Sequence, residues 1–161
     1  MFGKKETHNL MQLREGYTLK TQGDSWSIKE ITDYDWGVDG KSIEYTIVSN
    51  NGQKAYLEVE RYDGDYEIMF TVPASFTSMT LEEAINTKSI IYNGELFELE
   101  EQYQGATKNQ TLQTSWENVK NYIFYSKDEV MIVIEAIIGK EHKAYYSQTI
   151  KEKEIKNIKA P

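Results

Sequence analysis

Cysteine is absent from this chain of 161 residues. That one absence removes disulfides, thiolate nucleophiles and thiolate metal sites together. Histidine is scarce: His8 and His142 are the only two, and neither has a placed serine or second histidine to work with. Long apolar runs are missing too. The longest, Val130 to Ile134, is five residues and ends at Glu135, far short of the ~20 that a spanning helix needs. The first residues, MFGKKETHNL, lack the apolar stretch of a signal peptide. Clustered positive charge is lacking as well. Net charge is −8, and the one lysine-rich stretch, Lys151 to Lys159, is interrupted by Glu152 and Glu154. Nucleic acid and anionic membranes both reward clustered Lys and Arg. The expectation is a cytoplasmic protein with no nucleic-acid partner and no membrane insertion.

What is present is aromatic and β-prone: twelve Tyr and three Trp, residues that suit a pleated, half-buried surface. The stretch Ser42 to Val72 is the clearest. Asp63-Gly64 fits a two-residue turn with positive φ at both central positions. That turn sets Arg61 beside Tyr66, Val59 beside Ile68 and Leu57 beside Phe70. A three-residue loop at Asn50-Asn51-Gly52 sets Tyr45 beside Leu57, Ile43 beside Val59 and Ile47 beside Ala55; a two-residue loop would put Glu44 beside Val59, so the apolar pattern selects three. Before it, Gln22-Gly23 sets Leu19 against Trp26. After it, Thr80 and Glu83 form a capping box that predicts a two-turn helix from Leu81 to about Asn86.

The second half then starts again. Asn93-Gly94 sets Ile91 beside Leu96 and Ile90 beside Phe97. A shift of 71 lays Gly23 on Gly94 and Ile28 on Leu99, a shift of 77 lays Tyr45 on Tyr122, and a shift of 75 lays Glu60 on Glu135. The order of events, an xG hairpin, a variable loop and a meander, occurs twice and suggests an internal repeat. The expected fold is all-β: two related antiparallel β-meanders, small-barrel-like or stacked as a sandwich, with one short connecting helix. Its parts are an unstructured start (1–12), a first meander half (13–79), a helical connector (80–87) and a second meander half (88–161). The segment Gly105 to Glu117 reads as a long polar loop, and Ile155 and Ile158 in the tail favour a short helix over a final strand.

Few constellations invite chemistry. Gly40-Lys41-Ser42 has the end of a phosphate loop, but Asp35 stands where the first glycine should, and a strand follows instead of a helix. Asp33, Asp35, Asp39 and Glu44 echo calcium-loop spacing, yet Val38 occupies the position that needs glycine, so the favoured reading is a solvated turn. His142, between Glu141 and Lys143, reads as a surface residue. Glu58, Glu60 and Glu67 share one face, where opposed carboxylates would raise a pKa. No catalytic set, metal site or cofactor is expected. Tyr34 and Trp36 on one loop and Trp116 on the matching loop are the candidate binding residues.

Across Gly23-x-x-Trp26-x-Ile28, Glu44-Tyr45, Tyr56-Leu57 and Asp63-Gly64, and again across Tyr92-x-Gly94-x-x-Phe97-x-Leu99, Gly105-Ala106, Tyr122, Ile134-Glu135 and Gly139, the chain resembles an uncharacterised bacterial family, domain of unknown function 4178. The likeness spans most of Leu13 to Ile158. It implies no established catalytic residues, and members encoded near membrane-stress and polyamine-related genes. The function expected on these grounds is a non-catalytic adaptor that binds a protein partner. The alternative is a small-molecule sensor with its ligand pocket between the halves.

Overall fold

The computed structural model describes residues 8–161. Most of the start expected to be unstructured lies outside the described residues. From His8 onward the chain packs: Leu10 and Leu13 are buried in the first apolar cluster, and Tyr45 Oη donates a 2.6 Å bond to the Leu10 carbonyl. Apolar anchors, not composition, order this segment.

Eleven strands follow. The first five are β1 (Thr18–Thr21), β2 (Asp24–Asp35), β3 (Lys41–Ser49), β4 (Lys54–Tyr62) and β5 (Asp65–Ala74). After α1 (Leu81–Thr87) come β6 (Ser89–Tyr92), β7 (Glu95–Asn109), β8 (Glu117–Tyr125), β9 (Met131–Ile137) and β10 (Lys143–Ile150), then β11 (Lys156–Lys159). The sheet order is β11-β1-β2-β3-β4-β5-β10-β9-β8-β7-β6, and a further pairing of β2 with β7 turns it into a ring. All of these pairings are antiparallel. The class expected from the sequence, antiparallel β with one short helix, is the class observed. The two meanders share edges instead of closing separately or stacking.

Local chemistry sets these ladders. Three two-residue turns place a non-glycine and then a glycine at positive φ: Gln22-Gly23, Asp63-Gly64 and Asn93-Gly94, the geometry that matches strand twist. The ladders β3–β4 and β4–β5 carry Tyr45↔Leu57, Ile43↔Val59 and Val59↔Ile68, the expected register. Thr80 accepts from the Glu83 amide and Glu83 reaches back to the Thr80 amide, capping α1 as expected.

The meanders are laid out alike. Each long strand has a register break, between Ile28 and Glu30 in β2 and between Leu99 and Glu101 in β7. The ladder pair Tyr45↔Leu57 has its counterpart in Tyr122↔Ile134, so a shift of 77 persists through β4 and β9. The shift of 75 is thereby corrected: Glu58, not Glu60, holds the place of Glu135.

Two other expectations change. Gly105 to Glu117 is not one long loop, because β7 runs on to Asn109 and pairs with the end of β2 through Tyr34↔Thr107 and Asp35↔Ala106. A residue with a Cβ at 105 would meet the Asp35 carbonyl oxygen at 2.3 Å, so glycine permits this closure. The tail forms a short 3-10 turn at Glu152–Glu154 and then a strand, β11, on β1. Ile155 and Ile158 still pack on the first cluster, but from an extended backbone.

Pleating divides the side chains. On β3, Ile43, Tyr45 and Ile47 join one apolar cluster with Leu57, Val59 and Ile68. A second cluster, Phe97, Phe124, Ile132 and Ile134, is covered by Ala84 of α1. The alternate residues, Ser42, Glu44 and Thr46, turn to the opposite face, the inside of the ring. No helix of the described residues is long and apolar enough to cross a membrane.

Candidate functional site

The inside of the ring is where unusual chemistry gathers. Glu44 and Glu58 face each other across β3 and β4, and Glu135 approaches from β9 on the far side. Tyr34 Oη spans the interior and donates a 3.0 Å bond to Glu135 Oε2. Trp36 stacks on Tyr34, ring centroids 5.3 Å apart and 5° from parallel. The Trp36 indole N–H donates to Ser42 Oγ at 3.2 Å, and Ser42 Oγ donates to Glu58 Oε2 at 3.2 Å. Tyr56 and Tyr145 meet edge-on at 5.5 Å.

These carboxylates are surrounded by protein, and desolvation disfavours their charged forms. Burial lifts Glu58 from the usual carboxylate range to about 7, against the lowering effect of the Ser42 hydroxyl and with Glu60 and Glu135 adding to the rise. Glu44 is raised well above its ordinary value, first by burial and then by Glu58 and Glu135. Glu135 is raised by burial, although the Tyr34 hydroxyl and the lysines Lys143 and Lys140 pull the other way. Tyr56 is pushed up to about 12, by burial first and by Glu44 second. Proton uptake by Glu58 is therefore easy near neutral pH, and ionising all three carboxylates together is costly.

At one end the interior opens into a cleft of about 660 Å³. The first meander lines it with Glu58, Glu60, Glu67 and Met69, the second with Glu101, Tyr125, Lys127 and Met131. Glu60 and Glu67 are directly opposite each other; burial and then Glu67 raise Glu60. Glu101 is held by two phenols, Tyr103 Oη and, at 2.8 Å, Tyr125 Oη. Among the described residues no three acidic or imidazole groups come together as a metal-binding set.

The residues singled out in the sequence are placed as follows. Tyr34 is buried on β2 and belongs to the interior; Trp36 lies half-buried just beyond it. Both were expected on a loop, and the extension of β7 onto β2 draws them in. Trp116 is apart, 50% exposed, with the Lys108 ammonium 4.8 Å from its ring. Asp33, Asp35, Asp39 and Glu44 do not converge: Asp33 Oδ1 accepts from Gln110 Nε2, Asp35 Oδ1 from the Gly37 amide, and only Glu44 points into the ring. His142 Nδ1 lies 3.0 Å from Glu82 Oε1. Sequence reasoning missed Glu135, Tyr56 and Tyr145 as site residues. The available signal was a glutamate ending the apolar run of β9 at the place Glu58 holds in β4.

With this geometry in hand, comparison with known proteins gives one result: residues 14–152 match the family described as "Domain of unknown function (DUF4178)". The chain belongs to that family. No curated protein and no solved structure matches it.

Proposed function

We propose that this member of the DUF4178 family is a non-catalytic, bacterial, cytoplasmic binding protein that takes a positively charged small ligand in the cleft between its two meanders. The observation that carries this reading is the cleft itself, about 660 Å³ and lined by six glutamates from both halves against the single cation Lys127. That size is within the range of small-molecule sites. The carboxylates are spread along the walls, so the charge they suit is that of an extended organic cation carrying apolar surface, for which Met69, Met131 and Tyr125 offer contact. A cation beside Glu58 and Glu60 would offset the desolvation that raises them. Matching register breaks, matching hairpins and the two shared edges support descent of the halves from one duplicated meander, with the ligand at the junction.

The rival reading, an adaptor that uses an aromatic patch, needs Tyr34, Trp36 and Trp116 on one open surface. Only Trp116 has that exposure, which is why the cleft is preferred. Native mass spectrometry of protein purified at low salt tests the choice. A co-purifying cationic molecule, lost in a Glu58→Gln, Glu60→Gln, Glu101→Gln variant that still folds, is the expected result. Protein that carries none and binds no organic cation contradicts it.

A further inference from the structure

β1 and β6 hold matching places, each joined to the next long strand by a two-residue turn. Their outer edges differ. β1 is covered by β11, through Thr18↔Lys159 and Lys20↔Lys156, whereas among the described residues β6 ends the sheet. In the β6–β7 hairpin the closing pair is Tyr92↔Glu95 and the next is Ile91↔Leu96. The closing pair of such a turn exchanges both of its bonds, so the main-chain N–H and C=O of Ile91 point outward. The side chains beside this edge are apolar and open: Ile91 is 68% exposed and Leu96 50%. At the matching places the first meander has Lys20 and Ser25, also a cross-strand pair. The first meander thus covers a polar edge with its own tail, while the apolar edge of the second has no such strand among the described residues.

We propose that the outer edge of β6 docks an extended segment of a partner protein, which adds antiparallel to the sheet as β11 adds to β1. The segment is apolar where it pairs beside Ile91 and basic at its alternate positions. The basic character follows from the surroundings: Glu95 and Glu98 stand opposite Tyr92 and Ser89 and outnumber Lys88 beside them, on a chain of net charge −8. The fold uses the same composition where it covers its own matching edge, since β11 reads Lys-Asn-Ile-Lys. A second copy would bring the same glutamates against each other, where like charges directly opposed are unfavourable. Strand addition of this kind draws affinity from main-chain hydrogen bonds and specificity from alternate side chains. It uses the outer rim of the sheet and is independent of the inner cleft.

The test uses the full chain and a labelled ten-residue peptide of alternating Lys and Val, with a Glu-for-Lys peptide as control. Binding is read by fluorescence anisotropy, and amide exchange of residues 89–92 reports the location. Ile91→Pro removes the outward donor from an edge that tolerates proline; an Ile91→Lys, Leu96→Ser variant removes the apolar side chains and sets a positive charge against the Lys peptide, and serves if the proline variant is unstable. Expected are binding of the Lys peptide, slowed exchange at 89–92, and affinity lower by about tenfold or more in the variants and for the Glu peptide. No binding by the wild type, equal binding by the folded variants, or a wild-type dimer that the same substitutions dissolve would each overturn the proposal, the last by giving the edge to a second copy.

Discussion

Glu58 states the cost of the interior in one residue. Its folded-state pKa of about 7 lies above the value expected in the unfolded chain, so between roughly pH 4.5 and 7 the native protein holds a proton that the unfolded chain has lost. Stability therefore falls as pH rises through that window, and Glu44, Glu60 and Glu135, raised in the same direction, act with it. Thermal melts are expected to show a higher Tm at pH 5.5 than at pH 8. Glu58→Gln should raise Tm at pH 8, by the equivalent of about 1–3 kcal/mol, and the gain should shrink toward pH 5. A flat pH profile in the wild type would show that the interior is hydrated enough to leave these groups ordinary. Gly105 states a steric cost instead. A Cβ there meets the Asp35 carbonyl oxygen at 2.3 Å and Trp36 Cε3 at 2.8 Å, so Gly105→Ala should lower the urea unfolding free energy by about 2–4 kcal/mol. Gly23→Ala should be milder, because nothing lies within 4 Å of its Cβ and positive φ is the only penalty.

At the scale of elements, the hairpins were legible and the closures were not. Alternation and xG turns are local, so the pairings of Leu19 with Trp26, Val59 with Ile68 and Ile90 with Phe97 can be read from the residues alone. The contact between β2 and β7 joins residues more than seventy positions apart, as in Tyr34↔Thr107, and no local pattern announces it. For that reason Tyr34 looked like a loop residue and became the hydroxyl that holds Glu135. Helical spacing in the tail misled for a related reason: Ile155 and Ile158 need only reach the first cluster, and an extended backbone beside β1 does this while pairing an edge. The segment before β1 gives a measurable case. Leu10→Ala should cost about 2–4 kcal/mol in chemical denaturation, because Leu10 is 1% exposed and its carbonyl is bonded to Tyr45. An unstructured start would make the same substitution neutral.

For the whole molecule, the arrangement separates two kinds of interior. The apolar clusters lie on the outer faces of the ring, one closed by Leu10, Leu13 and Ile155, the other by Ala84 of α1. The polar interior, with its three carboxylates and its tyrosines, lies between the meanders. Two small apolar clusters can hold the fold, and the stability they supply permits strained electrostatics in a shared space. The central claim is that this space and its mouth serve to bind a positively charged organic ligand. Calorimetric titration of the wild type and of the Glu58→Gln, Glu60→Gln, Glu101→Gln variant with 1,6-diaminohexane, hexylamine and hexanoate, at about 20 and 200 mM salt, is the most direct measurement. The account predicts saturable binding that ranks diamine above monoamine, no binding of hexanoate, weakening at the higher salt, and loss in the variant. Equal binding of amine and carboxylate, or diamine binding that survives in the variant, would contradict it.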